Sequence, residues 1–247
     1  MSEAVETLEG WYALHDFRRI DWAHWQSLDA RARQQARSAL LDLAAGWSRQ
    51  AAGDRGSYGI YQVLGHKADL LLLNFRADPG ELAAIESELD RSPAGALLTR
   101  AYSYFSVVEL SKYLARGEPN PDANPYLKSR LQPAVPPWRT VCFYPMNKRR
   151  AGADNWYMLP REQRRDMMKS HGLIGQRYHD RVIQVITGSQ GLDDWEWGVT
   201  LFADDLVAIK KLVYEMRFDE VSARFADFGP FYLGLKLTPE AMGQLLA

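Results

Sequence analysis

The hydrophobic pattern over residues 10–18, GWYALHDFR, reads with a period of two and puts Trp11, Ala13, His15 and Phe17 on one face of a strand. Over residues 29–49 the period lengthens. Ala39, Leu40, Leu43 and Trp47 recur at three- and four-residue spacing behind Asp29 as a candidate N-cap, which predicts a helix. Residues 58–64 and 68–75 return to strand patterns, joined by the short turn Gly65-His66-Lys67. Pro79 opens a helix to about residue 91, and residues 101–110, AYSYFSVVEL, supply an aromatic and β-branched fourth strand. The order β-α-β-β-α-β is that of a ferredoxin-like unit. His15 reads as a structural histidine and His66, at a turn tip, as a solvated one.

Residues 117–138 hold six of the twelve prolines and read as an ordered, extended linker in which Lys128 and Arg130 are solvated charges. The second half then repeats the first: a strand over 140–146, a helix over 161–170 behind Pro160, strands over 182–188 and 195–202, a helix over 204–218 and a last strand over 228–235. The prediction is an α+β protein of tandem ferredoxin-like (dimeric α+β barrel) units, βαββαβ repeated twice. The boundaries are 1–116, a Pro-rich linker 117–138, and 139–247.

Composition removes several functions. A formal net charge of -1 gives no basic excess for nucleic acid or an anionic membrane. Cys142 is the single cysteine, which excludes an intramolecular disulfide and a multi-cysteine zinc site and fits a reducing compartment. No apolar run approaches the ~20 residues of a membrane span, and the short acidic N-terminus MSEAVETLEG lacks the apolar region of a signal peptide. A cytoplasmic location is the expectation.

Three residues are unusual for plain core. Period 2 places Cys142, Tyr144 and Met146 on one strand face, with Pro145 predicting a strand end or edge. The tail Asn147-Lys148-Arg149-Arg150 supplies cations to a pocket rim or to a surface turn. On the following helix Arg164, Met167, Met168 and His171 share a face, where His171 is a packed core histidine or a ligand. Gly172 and Gly175 allow a flat group close approach or end the helix. Gln184 shares its strand face with Val182 and Ile186, and a buried amide there needs partners.

The runs WYMLP, SHGLIGQRY, DDWEWGVTLF and EMRFDEVSARFADFG, with YPMNKRR, closely resemble the chlorite dismutase superfamily, and within it the coproheme decarboxylases of the Firmicutes type. The resemblance extends from GWYALHDFR to the C-terminus. It implies haem in the C-terminal unit of a homopentamer, with Fe-coproporphyrin III (coproheme) as substrate and redox centre, H2O2 as oxidant and haem b as product. It also implies transient contact with the coproporphyrin ferrochelatase. Residue by residue, His171 in SHGLIG matches the proximal iron ligand, and Tyr144 in YPMNK the redox-active tyrosine. Tyr144, Pro145, Met146, Asn147 and Lys148 form a segment lining the porphyrin. Gln184 matches the distal glutamine, Arg130 and Ser222 match propionate-binding positions, and Tyr113 in SKYL a further propionate contact. A glutamine where chlorite-splitting members carry arginine argues against chlorite chemistry. A non-catalytic haem carrier or sensor, and a haem peroxidase or chlorite dismutase-like enzyme, are the alternatives.

Overall fold

The computed structural model describes residues 4–51, 55–111 and 124–247. In chain order the elements are β1 (Thr7–Ile20), α1 (Trp22–Ser27), α2 (Ala30–Gln50), β2 (Gly56–Leu64), β3 (Leu70–Arg76), α3 (Pro79–Arg91) and β4 (Leu98–Ser111). They continue with α4 (Pro125–Leu131), β5 (Thr140–Lys148), β6 (Arg150–Ala151), β7 (Asp154–Asn155), α5 (Arg161–Gln176), β8 (Ile183–Gly188) and β9 (Trp197–Ala203). The chain closes with α6 (Leu206–Met216), α7 (Glu220–Phe225), β10 (Ala226–Phe228), β11 (Tyr232–Lys236) and α8 (Pro239–Leu245). Short polar side chains start the helices: Asp29 accepts from Ala32 N, Asp78 from Gly80 N, Asp205 from Val207 N, Asp219 from Val221 N and Thr238 from Ala241 N. Each satisfies an N–H that the first helical turn leaves without a partner.

One compact unit comprises Trp11–Phe105, Gln132–Pro136 and Tyr232–Ala247. Its strands run in the order β11-β2-β3-β1-β4, with β3 antiparallel to both β1 and β2. Its core joins Ile20, Leu40, Trp47, Ile60, Leu70, Leu72, Ile85 and Leu89 to Met242 and Leu246. His15 is completely enclosed; burial lowers it to about 3, against a backbone hydrogen bond to Tyr104, so its imidazole is neutral.

The other unit comprises Met1–Gly10, Ser106–Leu131 and Pro137–Phe231. The end of β4 pairs with β8, β8 with β9, β9 with β5 and β5 with β10, all antiparallel. Helices α5, α6 and α7 belong to this unit, and Trp156, Met167, Val221 and Phe225 form a small core among them.

The mixed α+β fold follows the hydrophobic pattern, and four local expectations are corrected. The Pro-rich stretch is not extended throughout. Within it α4 forms because Pro125 suits a first helical position and Asn124 Oδ1 accepts from Tyr126 N at 3.0 Å. Strand β5 does not end at Pro145 but continues to Lys148; Pro145 O accepts from Gly229 N at 2.8 Å, where the facing strand breaks between β10 and β11. Helix α5 runs six residues past residue 170, carrying Gly172 and Gly175 in its interior. The last strand is two strands, and the short α1, α7 and α8 had no periodic signal because six or seven residues make fewer than two turns.

Candidate functional site

Residues directly opposed across a sheet share a face, so strand register builds the site. Tyr144 opposes Val199, and Val199 opposes Ile186. One row away Cys142 opposes Leu201, which opposes Gln184; on the other side Met146 opposes Trp197, which opposes Gly188. Tyr144, Met146 and Gln184 therefore occupy one face of the β5-β9-β8 sheet. Gln184, Ile186, Met146 and Trp197 remain half-exposed there, although β8 and β9 are interior strands. Helix α5 comes close to this face at Gly175: a Cβ there would lie 3.2 Å from Gln184 Nε2 and 3.3 Å from Met216 Cε. A side chain there would make the ends of Gln184 and Met216 give way by a few tenths of an ångström.

Tyr144 is buried, with its ring stacked on Phe231 at 4.4 Å between centroids and tilted against Phe228 at 5.8 Å. Burial pushes its phenol well above the usual range; Cys142 adds to that and Arg217 opposes it. The Arg217 guanidinium sits 3.6 Å from the centre of the Phe228 ring. A positive charge thus lies behind the aromatic cluster that holds Tyr144.

Beyond Tyr144 the same strand forms a charged rim. The Lys148 ammonium rests 4.6 Å from the Trp156 ring centre. Burial lowers it to about 8, against the attraction of Asp219 and Glu196. Asn147 Oδ1 accepts from Glu196 N at 2.8 Å, and Glu196 Oε2 accepts from Lys148 N at 2.9 Å. These two bonds fix the strand end that Pro145 left uncertain in the sequence.

His171 lies on α5 with its side chain 28% exposed, and its Nδ1 is 2.8 Å from Oδ2 of the buried Asp219. A carboxylate oxygen accepts, so this contact suits a proton on Nδ1, and Nε2 is then the nitrogen through which a neutral ring would bind a metal. A histidine backed by a carboxylate is the arrangement that orients a metal ligand and raises its basicity. Asp219 Oδ2 also accepts from Val221 N at 3.1 Å, so one carboxylate fixes the imidazole and starts α7. Ser222 follows on α7, buried three residues beyond Asp219.

The structure places Tyr144, Pro145, Met146, Asn147 and Lys148 on β5 and Gln184 on β8, with β9 between them, and joins His171 to Asp219, which starts the helix that carries Ser222. Arg130 is half-buried on α4, and among the described residues no hydrogen bond or ion pair joins it to the other candidates. Tyr113 lies outside the described residues. An open hollow of ≈ 630 Å³ runs along a neighbouring strip of α5, lined by Ser170, Leu173, Ile174, Gln176 and Arg177. No predicted site residue lines it.

Sequence reasoning missed Asp219, Arg217, Trp156 and Glu196. Asp219 escaped notice because the histidine that gives it a role is 48 positions away. The donor set fits an iron porphyrin: one imidazole nitrogen with a carboxylate behind it, a half-open sheet face bearing a phenol and an amide, and an ammonium at the rim for anionic ring substituents.

The chlorite dismutase family description matches residues 32–237. A coproheme decarboxylase of Thermus thermophilus is 53% identical over 244 residues, covering 99% of this chain and 97% of that protein. A solved structure described as a novel heme-binding protein, also from Thermus thermophilus, superposes with a TM-score of 0.94 at 52% identity, covering 100% of this chain and 98% of that one. A chlorite dismutase variant from Candidatus Nitrospira defluvii, 20% identical, superposes with a TM-score of 0.77 over 96% of this chain and 95% of its own, which extends the likeness at the level of fold.

Proposed function

The chain belongs to the chlorite dismutase family, and we propose that within it the protein is a coproheme decarboxylase. It converts two propionates of Fe-coproporphyrin III to vinyl groups with H2O2 and yields haem b. The observation that carries this reading is 53% identity to a coproheme decarboxylase over 99% of the chain. The arrangement of Tyr144, His171 and Lys148 supports it.

Each decarboxylation balances as one propionate carboxylate, one H2O2 and one proton giving one vinyl group, CO2 and two waters. The bound iron porphyrin would be substrate and redox centre at once, and would supply the two oxidising equivalents that each turn takes from peroxide. His171 offers Nε2 to the iron, with Asp219 holding the ring. Lys148 offers its ammonium to a propionate, and Ser222 a hydroxyl; Arg130 is assigned the same role from the sequence match alone. Burial raises the Tyr144 phenol further above neutral pH, so the group oxidised is the neutral phenol, which gives up a proton along with its electron. The resulting phenoxyl takes a hydrogen atom from the propionate β-carbon and regenerates the phenol. Loss of the second electron and of CO2 leaves the vinyl group. Gln184 presents a neutral amide to the face on which peroxide is used.

Among the described residues no helix is long and apolar enough to cross a membrane. A cytoplasmic location, a homopentameric assembly and transient contact with the coproporphyrin ferrochelatase belong to the same proposal and rest on the sequence resemblance. The test is mass spectrometry of the coproheme complex during stepwise peroxide addition. Two successive losses of CO2 with two hydrogens, through a three-propionate species, are expected. A porphyrin that keeps four propionates while an added donor is oxidised would make the protein a peroxidase.

A further inference from the structure

Trp197 opposes Met146 and stands one row from Tyr144, half-buried on the same sheet face. Its indole Nε1–H donates to Glu109 Oε1 at 2.8 Å, across 88 positions of sequence. Glu109 lies on β4, two residues beyond Val107, and Val107 opposes Gly188 on β8. Gly188 in turn opposes Trp197 on β9. The strand between donor and acceptor thus carries no side chain at the crossing.

That vacancy is specific. A Cβ on Gly188 would lie 2.2 Å from Glu109 Oε2 and 2.8 Å from Cδ. The carboxylate occupies the space a side chain at 188 would take, and the indole meets it over the bare backbone. Burial raises the Glu109 carboxyl, the Trp197 bond opposes that rise, and Glu9 adds to it. A half-buried acidic group kept on this face, with an indole N–H as its hydrogen-bond donor, has a structural cost that a leucine would avoid.

We propose that Glu109 is a positioning residue of the substrate face: seated on Gly188, it holds the Trp197 indole in one orientation across β8, on the sheet face that also carries Tyr144 and Met146, ready-made for a planar ring. The inference rests on the porphyrin reading of that face. Without the bridge, Trp197 has several rotamers at a half-open position, and the substrate must order it on binding. The expected loss of coproheme affinity is about two- to tenfold, the entropy of fixing one large side chain.

The test begins without substrate. Protein labelled with 15N-tryptophan gives indole N–H signals, and Trp197→Phe assigns the one that belongs to Trp197. That signal should move in Glu109→Leu and in Gly188→Ala, which breaks the bridge without altering either partner. It should stay near its wild-type place in Glu109→Gln, whose amide oxygen still accepts. Coproheme titrations should follow the same order, with affinity lowered in Glu109→Leu and Gly188→Ala and restored in Glu109→Gln, while bound coproheme still proceeds to haem b. An unmoved indole signal in Glu109→Leu, equal affinities across the set, or a Glu109→Gln as weak as Glu109→Leu would each overturn the positioning role. Wild-type protein that binds no coproheme would sink the porphyrin reading itself, a separate result.

Discussion

Replacing Asp219 by alanine removes two hydrogen bonds accepted by a single oxygen, from His171 Nδ1 at 2.8 Å and from Val221 N at 3.1 Å. The two losses separate by measurement. Loss of the cap on α7 destabilises the fold by about 0.5–2 kcal/mol, which for a chain of this size lowers Tm by about 2–4 °C per kcal/mol. Loss of the carboxylate behind a metal-bound imidazole weakens binding about 10–100-fold, equivalent to about 1.4–2.7 kcal/mol. Asp219→Asn divides the effects, because asparagine caps a helix as well as aspartate but is neutral. The assay pairs thermal unfolding of the ligand-free proteins with absorbance titration of ferric coproheme. Asp219→Asn should melt close to wild type and bind more weakly, and Asp219→Ala should show both deficits. If Asp219→Ala lowers Tm yet binds coproheme with wild-type affinity and spectrum, then Asp219 is only a cap and His171 is not held for iron.

Tyr144→Phe removes one oxygen from a ring packed on Phe231. Coproheme affinity should stay within about twofold, since stacking is kept, while mass spectrometry after peroxide addition should show no vinyl product; haem b at the wild-type rate refutes the radical role. For Lys148 the sign is set by its lowered pKa of about 8 against an ordinary value near 10.5. The cost of burying its charge is fully present below about pH 8 and is relieved as pH rises toward the unfolded value. Lys148→Met should therefore gain stability over wild type most at neutral pH, with the gain shrinking above about pH 8; a difference independent of pH in denaturant titrations refutes this. Gly95→Ala would place a Cβ 2.1 Å from Leu89 O and 2.8 Å from Asp90 Cα, both rigid backbone. It should destabilise by about 1–3 kcal/mol, and an unchanged melting curve would show that the α3–β4 connection yields more easily than its packing suggests.

The chain by itself determined the elements and their facing. The apolar runs and alternations over β1, β2, β3, β4, β5, β8 and β9 are properties of neighbouring residues, as is the three- and four-residue spacing in α2 and α3. Cys142, Tyr144 and Met146 had to share a face once their segment was a strand. Asp29 and Pro79 marked helix starts through bonds and ring geometry local to them. The sequence match carried Tyr144, His171 and Gln184 to their places, but spacing alone left His171 open between core and ligand. Tertiary structure added what spacing could not supply, the carboxylate of Asp219, 48 residues away and 2.8 Å from the His171 ring. It likewise carried α5 through two glycines that the sequence left open between close approach and a helix end, because a glycine inside a helix costs only about 1 kcal/mol, and Gly175 passes close to the side chains of Gln184 and Met216. The rows Tyr144–Val199–Ile186 and Met146–Trp197–Gly188, and the Glu109 carboxylate lying over Gly188, exist only in the register of four strands. Sequence periodicity fixes which way a side chain points, but the neighbour it meets is chosen when distant strands pair, and the chemistry of this face lies in those neighbours.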